Sequence, residues 1–402
     1  MTRRVLVTDA SRSAAIAIIR SLGLRGLHVT ASDSEGRSPG FYSRYASARL
    51  RYPSPRTDPE GTVRTLLRAA EQHRVELVIP VGDELTLLLS EERGRFDGVC
   101  ALALPARAAY ATTQDKLATL ELAREQGVPV PRTEVVSSRK QAREAARSLG
   151  WPVVVKPRSS SVRRERGLLE HYEVAYAEDV AALDAELSRL EGNSQVLLQE
   201  YHQGEGHGVE LLLHDGRPLA AFQHRRLHEV PITGGASSFR ESVALEPALY
   251  NYATRLLGAL DWTGLAMVEF KVGEDGPRLM EINGRVWGSI ALAVKSGIDF
   301  PARMAELYLS GPPQNGREPD TCYEVGVRSR NLDLEVLWIA STLRGGEGRR
   351  LVAVPPRRQA LRAALRLASP KDGFDVFTRD DPRLSLAEIA RIVAKLLRKA
   401  QS

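Results

Sequence analysis

The sequence predicts a mixed α/β and α+β protein, and three observations carry that reading. The chain opens on a strand, helix, strand pattern at Val5–Thr8, Ala14–Leu22 and Leu27–Ala31, which is a βαβ unit and the start of a parallel sheet. From Thr112 the texture turns antiparallel, with an Asp215-Gly216 hairpin signal between Val209–Leu213 and Pro218–Phe222. A second hairpin, Leu265–Arg285, alternates so that carboxylates gather on one face.

The chain of 402 residues exceeds what one core usually organises, so two or three packed units are expected. With 43% hydrophobic and 26% charged residues, it is neither fibrous nor largely disordered. No stretch approaches the roughly 18 apolar residues of a membrane span, so no transmembrane segment is expected. Thr8, Asp9, Ser11, Arg12 and Ser13 interrupt the opening before a signal-peptide core forms, and a cytoplasmic protein is expected. Cys100 and Cys322 lack disulfide-framework or zinc spacing. Lys and Arg outnumber Asp and Glu by 56 to 50, a charge of +6 that is modest for a nucleic-acid binder, so no nucleic-acid partner is expected. A late row, Arg358, Arg362 and Arg366 beside Leu361 and Leu365, reads as a solvated helix face or, less simply, a membrane or nucleic-acid surface.

A further strand, Leu77–Pro80, leads into Gly82-Asp83-Glu84 and an apolar helix. There Asp83 either recognises a substrate amine or caps the helix. The first strand is followed by Asp9–Ser13 with no GxGxxG, so nicotinamide binding loses its support. Thr113 is expected to cap a helix running through Lys116 and Leu120 to Gly127. Strand Trp151–Lys156, the Ser- and Arg-rich loop Ser159–Gly167 and a helix with Val180, Leu183 and Leu187 suggest a mobile lid. From about Gly311 the chain reads as a third, appended unit.

With the hairpin turn centred on Asp275, Glu269 faces Glu281, and Asn283 shares their side. Val268, Phe270, Met280 and Ile282 then fall on the other face. Opposed carboxylates repel, and a divalent cation resolves the repulsion: magnesium takes oxygen ligands and completes its shell with water and phosphates. A solvated polar face, with Lys271 neutralising Glu269, remains an equal reading of these residues alone.

Glu269, followed by Glu281-Ile282-Asn283-Gly284-Arg285, resembles the metal signature of the ATP-grasp superfamily, which includes biotin carboxylase and D-alanine-D-alanine ligase. Lys116 after Thr113-Gln114-Asp115, Lys156 after Val153-Val154-Val155, and Gln199-Glu200-Tyr201 after Val196-Leu197-Leu198 follow in that family's order. The resemblance implies a Rossmann-like pre-ATP-grasp domain at 1–110, an ATP-grasp domain at 111–310 with a lid at about 130–200, and an appended C-terminal region at 311–402. It also implies that Lys116 and Lys156 contact ATP phosphates and that Gln199, Glu200 and Tyr201 hold adenine at a hinge. Glu269, Glu281 and Asn283 would bind Mg2+, with Mn2+ as a substitute. Two departures stand out: Arg158 and Ser159–Ser161 replace a glycine-rich phosphate loop, and Gly206, with Glu205 beside it, occupies the ribose-contact position.

The implied reaction is ligation of a small-molecule carboxylate to an amine, or to a thiol, through an acyl phosphate, with ATP going to ADP and phosphate. Arg285 would bridge carboxylate and phosphoryl oxygens. Arg225 and Arg226 are further phosphate candidates, of which strand alternation turns one away. The loop Ile232–Ser238 with Arg240 is a candidate substrate segment. A homodimer is the expected form of any assembly. A non-catalytic nucleotide-binding protein would keep the lysines and hinge with little need for Glu269, Glu281 and Asn283.

Overall fold

The computed structural model describes residues 2–159, 161–163, 169–171, 174–190, 195–313, 318–345, 355–369 and 372–401. Most of the loop expected at 159–167 lies outside them.

The chain begins with β1 (Arg4–Val7), α1 (Ser13–Leu24), β2 (His28–Asp33), β3 (Ala48–Arg51), α2 (Pro59–His73), β4 (Leu77–Ile79), α3 (Asp83–Glu91) and β5 (Ala101–Leu102). The strands form an all-parallel sheet in the order β3-β2-β1-β4-β5. Alternation along β1 sends Val5 and Val7 into one apolar cluster with α1, and Leu6 into another with α2 and α3. The first cluster continues without a break into Trp287, Ile290, Leu292 and Phe300. The parallel unit and the antiparallel unit therefore share one core.

Two short helices, α4 (Arg107–Gln114) and α5 (Lys116–Glu125), follow. The expected cap at Thr113 is corrected: its hydroxyl donates to the Tyr110 carbonyl, and Asp115 caps α5 by accepting from the Leu117 and Ala118 amides. Asp115 ends α4 with an extended backbone, so one helix becomes two.

A small antiparallel sheet, β10-β7-β11-β6, is built from β6 (Thr133–Val136), β7 (Val153–Pro157), β10 (Ala175–Ala177) and β11 (Val196–Glu200). Its apolar face is filled by α6 (Arg139–Leu149) and α7 (Val180–Arg189), while β8 (Ser161–Arg163) and β9 (Leu169–His171) pair separately.

The large sheet has seven strands in the order β16-β15-β12-β13-β14-β17-β18. They are β12 (Glu205–His214), β13 (Arg217–Val230), β14 (Ala236–Ser242), β15 (Gly264–Gly273), β16 (Gly276–Asn283), β17 (Arg328–Arg330) and β18 (Gly373–Phe374). Val209, Leu211 and Leu213 bury one face against α8 (Pro247–Gly258) and Trp262. The segment expected as a flexible loop at Ile232–Ser238 is corrected in part: from Ala236 it is strand, hydrogen-bonded to β13 and β17. After β16 come α9 (Ile290–Ser296) and α10 (Phe300–Ser310), which pack on α1.

The region from Gly311 contributes to the central architecture. It supplies β17 and β18 to the large sheet, and α11 (Leu332–Arg344) covers β13 and β14, with α12 (Arg357–Arg366) against α11. The last helix, α13 (Pro382–Gln401), returns to the parallel unit, where Ser43 donates to Asp381 at 2.5 Å and Arg20 to the Val376 carbonyl at 2.8 Å. Among the described residues no helix is long and apolar enough to cross a membrane.

Gly284 closes the joint between β16 and α4. A Cβ there would stand 2.6 Å from Cη2 of the fully buried Trp262 and 2.7 Å from Oγ1 of Thr113. Gly284→Ala is expected to cost about 1–3 kcal/mol of stability, because a rigid indole cannot yield. A lowered denaturation midpoint in urea is the measurement, and an unchanged midpoint would contradict the close approach.

Candidate active site

The β15–β16 hairpin reaches the expected pairing by an unexpected route. Its turn is tighter than a turn centred on Asp275, with Gly273 paired to Gly276 and Phe270 to Leu279. A bulge at Met280 then restores Glu269 opposite Glu281. Met280 is thereby corrected: Leu279 takes the place in the apolar core, and Met280 turns to the cavity.

Asn283 bridges the two carboxylates, its Nδ2 donating to Glu269 Oε1 at 2.9 Å and to Glu281 Oε1 at 3.1 Å. The ion-pair partner of Glu269 is Arg226 on β13, against the alternative reading of Lys271, whose ammonium lies 5.4 Å from the Tyr201 ring centre. Arg226 also donates to Glu229 and to the Gly235 carbonyl, each at 3.0 Å. It crosses Gly206, where a Cβ would lie 2.9 Å from its Cδ, so the bare backbone at that position admits the arginine. Burial, opposed by Arg226 and reinforced by Glu281, pushes the Glu269 carboxyl up to about 7.

Lys116 and Lys156 are brought together by backbone. The Lys116 amide donates to the Arg158 carbonyl at 2.9 Å, and Arg158 pairs with Asp115 at 2.7 Å, pinning the start of α5 to the end of β7. Lys156 donates to Gln199 Oε1 at 2.7 Å, and Gln199 donates to Thr133 at 2.9 Å. Burial lowers both ammonium groups, Lys156 to about 8 with Lys116 and Lys271 pushing the same way against Glu281.

A cavity of about 240 Å³ is lined by Lys116, Lys156, Gln199, Glu281, Asn283 and Arg285, with Asp83 at its wall. Arg285 pairs with Asp83, which comes from the parallel unit; Asp83 does not cap α3, whose cap is Gly82 with no side-chain bond. Other sequence candidates lie elsewhere. Arg225 faces away from Arg226 and binds Glu241 at 2.7 Å, with Glu205 3.5 Å distant. Glu200 is held by the Arg132 amide at 2.9 Å and Nε at 2.6 Å, and Tyr201 meets Tyr176 edge-on at 5.9 Å. Arg240 is corrected to a core residue, 1% exposed and paired with Asp375.

Sequence inspection missed Glu210, which is fully buried, accepts from Ser289 at 3.0 Å and lies 2.9 Å from His224. Its signal was a lone carboxylate inside the apolar run Val209–Leu213. Burial pushes the Glu210 carboxyl up and the His224 imidazole well down, disfavouring the charged form of each.

Two lysines, two carboxylates, an amide and an arginine line one cavity, a set whose chemistry can meet phosphate and carboxylate oxygens. Residues 193–330 match the family described as ATP-grasp in the biosynthetic pathway with Ter operon. The large chain of carbamoyl phosphate synthase from Methanospirillum hungatei is 29% identical over 54% of this chain and 20% of its own length. The ribosomal protein bS6–L-glutamate ligase of Escherichia fergusonii is 26% identical over 62% of this chain and 80% of its own. Biotin carboxylase from Campylobacter jejuni superposes with a TM-score of 0.63 at 18% identity, covering 81% of this chain and 74% of that one. Over residues 193–330 the chain is thus similar to an ATP-grasp family, over 62% of its length to a glutamate ligase, and in fold to biotin carboxylase.

The Lys156 shift has a measurable consequence. An ammonium lowered from 10.5 to about 8 is charged below pH 8 and neutral above it. Affinity for ATP is expected to fall as pH rises through 8, and Lys156→Met should flatten the profile. Stability without nucleotide should run the other way, rising from about pH 8 to 10.5, because the unfolded chain binds the proton that the folded one has lost. Calorimetric titration and urea denaturation across that range check both signs.

Proposed function

We propose that this protein is an ADP-forming carboxylate–amine ligase. The γ-phosphoryl group of ATP passes to a substrate carboxylate and ADP leaves. An amine then attacks the acyl phosphate, releasing inorganic phosphate and a proton. The observation that carries this reading is the single cavity shared by Lys116, Lys156, Glu281, Asn283 and Arg285, with Glu269 and Arg226 behind it. Phosphoryl transfer asks for fixed positive charge and positioning more than for a general base, and this set supplies both. The glutamate ligases among the relatives, and the biotin carboxylase solved as a β-γ-ATP complex, support the same class.

The donor set fits a magnesium ion. Two carboxylate oxygens converge on the Asn283 amide, which offers them only N–H donors, and burial with the facing Glu281 raises the Glu269 carboxyl in the absence of a cation. Glu269, Glu281 and Asn283 would hold Mg2+, which neutralises charge on the phosphoryl oxygens when bound. Lys116 and Lys156 would hold the ATP phosphates, and Arg285 would orient the carboxylate. In this reading 1–110 is the pre-ATP-grasp domain, 111–310 the ATP-grasp unit with its lid at about 130–200, and the enzyme is cytoplasmic.

With MgATP, carboxylic acids and hydroxylamine, the protein should release ADP and phosphate and form a hydroxamate. AMP with pyrophosphate would contradict the acyl phosphate. Glu281→Gln should abolish turnover and weaken magnesium–nucleotide binding while the fold persists, since it removes like-charge repulsion from the hairpin. Arg285→Lys keeps charge but loses the planar fork, and turnover should drop at least about tenfold with ATP affinity changed less.

A further inference from the structure

We infer that the outward face of α12 docks on an anionic lipid surface, Leu361 and Leu365 entering the headgroup boundary while Arg357, Arg358, Arg362 and Arg366 meet the lipid phosphates; the inference stands apart from the ligase reading. The amphipathic sides of α12 are exchanged. Its buried residues are the small Ala360 and Ala363, and it packs against α11, yet Leu361 and Leu365 are 58% and 78% exposed. Helical spacing sets the two leucines one turn apart, on the side opposite those alanines. A helix whose only task was to cover α11 would turn leucine inward and alanine outward.

The charge around these leucines has one sign. Arg358, Arg362 and Arg366 follow one another at single-turn steps along one side of the pair, and Arg357 lies on the other. All four arginines are exposed, none forms an ion pair with a described carboxylate, and the helix itself contains no acidic residue. Exposed apolar side chains also gather in this part of the chain. Of the fifteen large ones exposed among the described residues, eight fall between Leu343 and Leu397, less than a seventh of the sequence. Four of the eight, Leu386, Ile389, Val393 and Leu397, line one side of α13, whose one acidic residue, Glu388, is buried and paired with Arg391 at 2.8 Å.

Charge and shape select the partner. A second copy of α12 would set arginine against arginine, with no acid on the helix to answer. A nucleic acid would accept the arginines but offers nothing to two exposed leucines, and α12 has no aromatic side chain to stack on a base. An anionic bilayer answers both demands. Its acyl boundary takes the leucines, and its headgroups take the guanidinium groups, whose stems lie along the apolar surface while the charges reach outward. At Arg357–Arg366 the helix is too short to span a bilayer and lies on it instead.

The test sediments the full chain with vesicles of phosphatidylcholine alone, or with about a third of the lipid replaced by phosphatidylglycerol. Binding to the anionic vesicles should exceed binding to phosphatidylcholine by at least about tenfold, and raising salt from about 0.1 to 0.5 M should remove most of it. Leu361→Ser with Leu365→Ser, and separately Arg358→Gln with Arg362→Gln, should each weaken binding at least about tenfold, since one arginine near such a surface contributes about fivefold. Urea midpoints equal to that of the unsubstituted chain separate lost docking from lost folding. Equal sedimentation with both kinds of vesicle, or with neither, overturns the inference. Full binding by the leucine pair overturns it as well, because charge alone would then suffice and a nucleic acid would serve. A dimer that light scattering detects without vesicles, and that the leucine pair abolishes, gives the face to a second copy and overturns it too.

Discussion

Glu269 and Glu281 stand opposite one another on a sheet face from which water is mostly excluded, and the surrounding residues answer their repulsion. Arg226 reaches Glu269 only because Gly206 leaves room on β12, and Asn283 turns its amide toward both carboxylates. Lys156 and Lys116 face Glu281 from the small sheet and α5, and burial depresses them both. Burial therefore works against the charged forms of both Glu269 and Lys156. A site of that kind has most to gain from a ligand that carries both a cation and phosphates.

The parts of the site are held by different kinds of contact. One apolar cluster joins the parallel sheet, α1, α9 and α10, so the two large units cannot separate without opening a core. The small sheet has its own cluster and reaches α5 through the Lys116 amide and the Asp115–Arg158 pair. Glu281, Asn283, Arg285 and Asp83 line the cavity from the units that share that core, and Lys156 and Gln199 line it from the small sheet.

Much of this was legible in the chain. Alternation from Glu269 to Asn283 identified the face on which Glu269, Glu281 and Asn283 meet, and the strand, helix, strand opening identified the parallel sheet, because period-2 and period-3.6 patterns record which face is buried. The pattern failed at Met280, where one extra residue reverses alternation, and at Thr113, where Asp115 makes the better cap two residues later. It did not reach Arg240, read as part of a substrate segment but paired with Asp375, nor decide against the alternative of pairing Glu269 with Lys271, whose ammonium lies near the Tyr201 ring.

The sequence by itself determined the order of the elements, the facing pair of carboxylates with their amide, and the lysines that precede them, since each is local in spacing or in strand alternation. Only the tertiary structure decided which charges meet. Arg226 rather than Lys271 neutralises Glu269, and Asp83, 202 residues before Arg285, completes the far wall of the cavity. Charge pairing is set by distance in space and by loss of water, and neither is written in the spacing of residues along a chain.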